Sequence, residues 1–93
     1  MIHNFRDKEI EKIANGQRSR KLPVDMQSKA FAILQLLAAA SHCDDMKSPP
    51  GNRFHALDQD RKGQYSVSIN MQWRICFGWS DGGATYVEIT DYH

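Results

Sequence analysis

Ninety-three residues allow one small domain, and a chain of this size buries too little surface to enclose a large, lidded cavity. It is 41% hydrophobic and 25% charged, with six glycines and three prolines, which excludes a disordered tail. The formal charge of +1 excludes strong attraction through the total, but residues 1–74 carry all twelve basic side chains against eight acidic ones. Residues 75–93 carry only Asp81, Glu88 and Asp91, a polarity that suits a polyanion on one face and equally an ordinary solvated surface.

In chain order, Met1–Phe5 reads as a short edge strand. Arg6–Asn15 places Ile10 and Ile13 three apart among charges, a short amphipathic helix with Gly16 as its stop. After the basic loop Gln17–Lys21, Pro23 opens a second helix running from Asp25 to about Ser41. Met26, Ala30, Ile33, Leu34, Leu37 and Ala40 recur there at helical spacing, with Phe31 and Leu36 widening the stripe. His42–Asn52, with Pro49-Pro50-Gly51, reads as a loop.

The period then changes to two. Tyr65, Val67, Ile69 and Met71 form one alternating run, and Trp73, Ile75, Phe77 and Trp79 a second. Asp81-Gly82-Gly83 predicts a turn into a third run, Thr85, Val87 and Ile89. A short fourth strand is expected near Arg53–Leu57. Helices first and strands later predict an α+β domain spanning residues 1–93, two N-terminal helices packed on a mainly antiparallel sheet.

Two cysteines give no CxxC spacing and no disulfide framework. Cys76 falls in an apolar run as a small core residue, while Cys43 lies in a polar loop that leaves reaction open, with nothing nearby that argues for it. No apolar stretch is long enough to span a bilayer and no export signal opens the chain, so a reduced, cytoplasmic setting is expected. Ligand-spaced His, Cys and carboxylate clusters such as HExxH are absent, so no metal site is predicted.

Candidate chemistry gathers in the second half. The ending Asp91-Tyr92-His93 combines a carboxylate, a phenol and an imidazole, all able to take part in proton transfer; a polar tail is the plain alternative. His55 alternates with Phe54 and so faces solvent or a groove. Two imidazoles facing one substrate are what metal-free RNA cleavage needs, one as base and one as acid. Arg74 alternates against Trp73, Ile75, Phe77 and Trp79, beside the small Cys76 and Gly78, and its planar fork suits phosphate. A partner for a carboxylate such as Glu88 explains it as well. Arg53, Arg61 and Lys62 add a basic cluster, and Tyr65 and Tyr92 are candidates for stacking on bases. His3 and His42 read as surface residues.

The segments Gly51–Leu57 (GNRFHAL), Arg61-Lys62-Gly63 with Tyr65-Ser66-Val67, Asn70–Phe77 (NMQWRICF) and Val87–His93 (VEITDYH) resemble the HigB toxins. These are the RelE-like toxins of bacterial type II toxin–antitoxin systems. The resemblance spans the chain and implies the small RelE-like α+β fold and a ribosome-dependent mRNA endonuclease that needs no cofactor. It implies His55, Asp91, Tyr92 and His93 as the acid/base set and Arg74 at the scissile phosphate; Arg53, Arg61, Lys62, Tyr65 and Asn70 are the expected RNA contacts. It also implies a HigA-like helix-turn-helix antitoxin that blocks the toxin, the ribosome and mRNA as partners, and operator DNA only through the antitoxin. One departure stands out. Where the family commonly reads H-x-L-K-G-D-R, this chain has Asp58-Gln59 for the Lys-Gly pair, which removes a cation and adds a negative charge. A non-catalytic module that binds antitoxin or RNA without cutting is the competing expectation.

Overall fold

The computed structural model describes residues 1–48 and 50–91, apart from the side chains of residues 50 and 59. Helix α1, Lys8–Ala14, begins at Asp7, whose carboxylate accepts from the amides of Glu9 and Ile10 at 2.9 and 3.1 Å. It ends where Gly16 takes φ +81°, the left-handed stop expected of that glycine. Helix α2, Val24–Ala39, follows Pro23 and buries Met26, Ala30, Ile33, Leu34 and Leu37. Its apolar stripe is narrower than its sequence suggests. Phe31 and Leu36 are 39% and 46% exposed, because one helix face is enough to cover this sheet. Gln27 is buried beside them, its amide bonded to Ser19 and to the Leu22 carbonyl, and so ties the connecting loop to α2.

Four strands follow: β1 (His55–Ala56), β2 (Gln64–Ser68), β3 (Trp73–Ser80) and β4 (Gly83–Asp91). They lie in the order β1-β2-β3-β4, all antiparallel. The N-terminal segment does not form a full strand. It makes parallel bridges to the outer edge of β4, at Ile2–Ala84 and Phe5–Val87. Asp81 and Gly82, both at positive φ, form the tight turn whose twist matches the β3–β4 hairpin. Gly78 sits at the register shift opposite this turn. A Cβ there would meet Thr85 Oγ1 at 2.7 Å, so the position admits no side chain without displacement.

Met71 corrects the expected strand. β2 stops at Ser68, and Met71 is 96% exposed in the turn. The cause is Asn70, whose Oδ1 accepts from the amides of Gln72 and Trp73, both at 2.8 Å. Asn70→Ala is expected to cost about 1–2 kcal/mol for the two lost bonds, measured by urea unfolding, with the m-value unchanged.

Both helices lie on one sheet face. Val67, Ile69, Ile75, Phe77 and Val87 meet Ile10, Ile13, Ile33, Leu34 and Leu37 there. The stretch after α2 is more built than a loop, with 3-10 turns at Cys43–Lys47 and Pro50–Asn52. Cys43 is buried rather than open to reaction, and Met46 and Asn52 are buried with it. Among the described residues no helix is long and apolar enough to cross a membrane.

Candidate functional site

Residues that pair across antiparallel strands project to the same side of a sheet. The pairs His55–Ser66, Ser66–Cys76 and Cys76–Glu88 therefore form one row across all four strands. The next row holds Ser68, Arg74 and Thr90. Both rows lie on the face away from the helices, because Val67, Ile75 and Ile89 alternate with them. Ser66 and Cys76 form the buried floor, and Ser66 Oγ has no hydrogen-bond partner among the described residues.

His55 is exposed at one end of its row. Its Nδ1 lies 3.2 Å from the carbonyl oxygen of Arg53. A carbonyl only accepts, so Nδ1 is the donor in this bond, and the neutral ring then has its acceptor at Nε2. Arg53 itself holds φ +50°, uncommon for a residue with a side chain.

Glu88 anchors the far side of the groove. It accepts from Arg6 Nη1 at 3.3 Å, Arg61 Nη2 at 3.4 Å and Thr90 Oγ1 at 3.1 Å. Arg61 also donates to Gln64 Oε1 at 3.1 Å. The carboxylate suggested as a partner for Arg74 thus holds two other guanidinium groups, which keeps Arg61 over the open face. Alternation along β4 could have revealed that Glu88 shares a side with Arg74. Its pairing with Arg6, 82 residues away, had no sequence signal.

Of the other expected site residues, those that the structure describes lie outside these two rows. Asp91 pairs with Trp73, on the opposite side of the sheet from Arg74, and accepts from Gln72 Nε2 at 3.1 Å. Strands β1 and β4 are opposite edges, three strand spacings or roughly 14 Å apart. Lys62 is exposed in the turn before β2. Tyr92 and His93 lie outside the described residues. Tyr65 is drawn away from the groove. Its ring stacks on Phe54 at 5.4 Å and meets Phe77 at 5.9 Å on the helix side. Its phenol pKa is raised, first by the hydrogen bond to the Cys43 thiol, then by the Cys43 charge, burial and Asp44. Those contacts use the ring faces that a base would need.

His42, Cys43 and Asp44 bring three ligand-type atoms within 4.8 Å of one another, well along the chain from the groove. His42 Nδ1 already accepts from the Asp44 amide at 3.1 Å, and Cys43 meets Tyr65. A separate cleft of about 530 Å³ opens between α2 and the β2–β3 turn, lined by Lys29, Gly51, Arg53, Asn70 and Met71 with Ser68 and Ile69.

The chain is similar to known proteins over nearly its whole length. Residues 3–93 match the family model of HigB-like toxins, described as the RelE-like toxin of the type II toxin–antitoxin system HigB. The chain is 37% identical over 95 residues to Toxin HigB-1 of Vibrio cholerae, covering 99% of this chain and all of that protein. It is 25% identical over 93 residues to Endoribonuclease HigB of Proteus vulgaris, with both chains covered completely. Among solved structures, YafQ from Escherichia coli superposes with a TM-score of 0.64 at 13% identity, over 96% of this chain and 88% of YafQ. That last likeness shows the fold alone.

Proposed function

Since the chain belongs to the HigB-like family, the RelE-like toxins of type II toxin–antitoxin systems, we propose that it cuts messenger RNA in the A site of translating ribosomes. The observation that carries this reading is the open sheet face. His55, with Nε2 as its acceptor, and Arg74 occupy adjacent rows, and Glu88 holds Arg61 beside them.

In this reading His55 Nε2 takes the proton of a ribose 2′-hydroxyl as that oxygen attacks the neighbouring phosphorus. The crowded phosphorane gains negative charge, and Arg74 supplies a fixed cation for it. The departing 5′ oxygen then needs a proton. Asp91, Tyr92 and His93 are the group proposed for that end of the reaction, with Asp91 orienting rather than transferring. Arg53, Arg61 and Lys62 contact RNA phosphates, whereas Asn70 acts through the turn it braces. Acid/base side chains suffice, so no cofactor or metal is assigned. Residues 1–93 act as one toxin domain in the cytoplasm, neutralised by a HigA-like helix-turn-helix antitoxin. Operator DNA is reached only through that antitoxin.

The test is message cleavage by the purified protein, with and without translating ribosomes, mapped by primer extension. Discrete cuts that require ribosomes and disappear in His93→Ala support the whole reading. Cuts that persist in His93→Ala move the acid elsewhere. A folded wild type that never cuts leaves a binding module, the reading that Asp58-Gln59 favours. Asp58 is exposed just beyond β1, so its charge faces approaching RNA. Asp58→Lys is expected to strengthen growth arrest on induction, lowering the inducer needed by about threefold, since one reversed surface charge is worth under about 1 kcal/mol. No gain in potency would show that the substitution is neutral.

A further inference from the structure

We propose that Arg6 is a positioning residue of the RNA-binding face: by taking one oxygen of the Glu88 carboxylate, it keeps Arg61 available to a phosphate. The inference rests on the nuclease reading and brings the N-terminal segment into the site.

Arg61 is held across the sheet. It donates to Gln64 on β2 at 3.1 Å and to Glu88 on β4 at 3.4 Å, and those strands flank β3. The guanidinium therefore bridges over β3, whose residues on this side, Cys76 and Gly78, are small enough to leave it room. The two bonds use two of its five N–H groups, and the side chain is 34% exposed. The remaining donors are what a phosphate would meet.

Glu88 gives this fixed cation a rival anion. Its side chain is only 13% exposed, so salt and water screen it poorly. Held by Arg61 alone, that carboxylate would cancel the charge that attracts RNA. Arg6 prevents the cancellation. It binds Oε2 at 3.3 Å, while Oε1 takes Arg61 and Thr90. Two guanidiniums against one carboxylate leave one positive charge. Thr90 is also the cross-strand partner of Arg74, so this charge adjoins the Arg74 row. The backbone sets Arg6 in place. Phe5 bridges Val87, and the Arg6 amide donates to the Val87 carbonyl at 2.9 Å, one residue before Glu88. Arg6 itself is 61% exposed. An ion pair so open to water adds little to stability, and its consequence lies in the charge it balances.

The test asks whether the effect of Arg6 depends on the charge of Glu88. The probe is a fluorescent 2′-O-methyl RNA hexanucleotide, which cannot be cut because its 2′ oxygen carries no proton. It is titrated with the full chain and read by anisotropy. Arg6→Gln is expected to weaken binding three- to tenfold. It should also lower the slope of log affinity against log salt by about 0.7, one phosphate contact on a single strand. In a Glu88→Gln background an uncharged amide oxygen still accepts from Arg61. There Arg6→Gln should change affinity by less than about twofold, the non-additivity of one charge network. Arg6→Lys keeps the charge and should bind like wild type, as should Lys8→Gln, which removes an exposed cation nearby on α1. An equal loss from Arg6→Gln in both backgrounds would mean that Arg6 touches RNA itself. No loss in either would mean that Arg61 needs no relief from Glu88. Each of these results overturns the proposal. On translating ribosomes the Arg6→Gln defect should fall on KM and leave kcat within about twofold. Binding that follows the charge of Glu88 in a protein that never cuts keeps the role of Arg6 and removes the nuclease reading. Cutting without that dependence does the reverse.

Discussion

His55→Ala is expected to lower message cleavage by about 10²–10⁴-fold, the range for removing a positioned general base, while leaving the fold unchanged. The side chain is exposed on a two-residue edge strand, and among the described residues its hydrogen bond is to the Arg53 carbonyl alone. Its loss should therefore shift stability by no more than about 0.5 kcal/mol. The informative comparison is His55→Asn. It can still donate to the Arg53 carbonyl but has no basic ring nitrogen, so it should be as inactive as alanine. If His55→Asn retains wild-type cutting, the imidazole only positions RNA and the base is another group. Timed primer extension, with unfolding curves on the same samples, separates these outcomes.

The second large effect falls on stability. Phe77 is 1% exposed at the centre of the sheet, and Tyr65 leans on it while stacking on Phe54. Phe77→Ala is expected to cost about 3–5 kcal/mol through lost transfer energy and the cavity left behind. In a domain this small that lowers the melting temperature by more than about 12 °C. It also loosens the aromatic stack immediately before His55, since Phe54 loses the ring that Phe77 supports. Cleavage measured well below the melting transition should then fall as well. A variant that melts within a few degrees of wild type would mean that the sheet repacks around the gap.

Fold and site were legible in the sequence to different degrees, for physical reasons. Both helices and the three long strands follow from hydrophobic periodicity, and Asp81-Gly82 required the turn it forms. Met71 was misplaced because alternation cannot see that Asn70 satisfies two amides and ends β2 early. Phe31 and Leu36 were overcounted because periodicity does not say how wide a sheet there is to cover. Arg74 falls on the open face because its neighbours alternate apolar against it. The stack that removes Tyr65 from the groove depends on a pairing 12 residues away with Phe77, set by strand order. The Arg6–Glu88 pair links the two ends of the chain and is likewise a property of topology. The contact of His55 Nδ1 with the Arg53 carbonyl is set by the local backbone, for which neither residue carries a sequence signal.

The most direct measurement is the chemistry of the RNA ends left by the wild-type protein on a translated message. Attack by a 2′-hydroxyl, deprotonated at His55, leaves a 2′,3′-cyclic phosphate upstream and a 5′-hydroxyl downstream. Downstream fragments that accept phosphate from polynucleotide kinase without prior phosphatase treatment are the predicted result. Fragments carrying a 5′-phosphate would mean that water, not the ribose, attacked the phosphorus, and would contradict cleavage by these side chains.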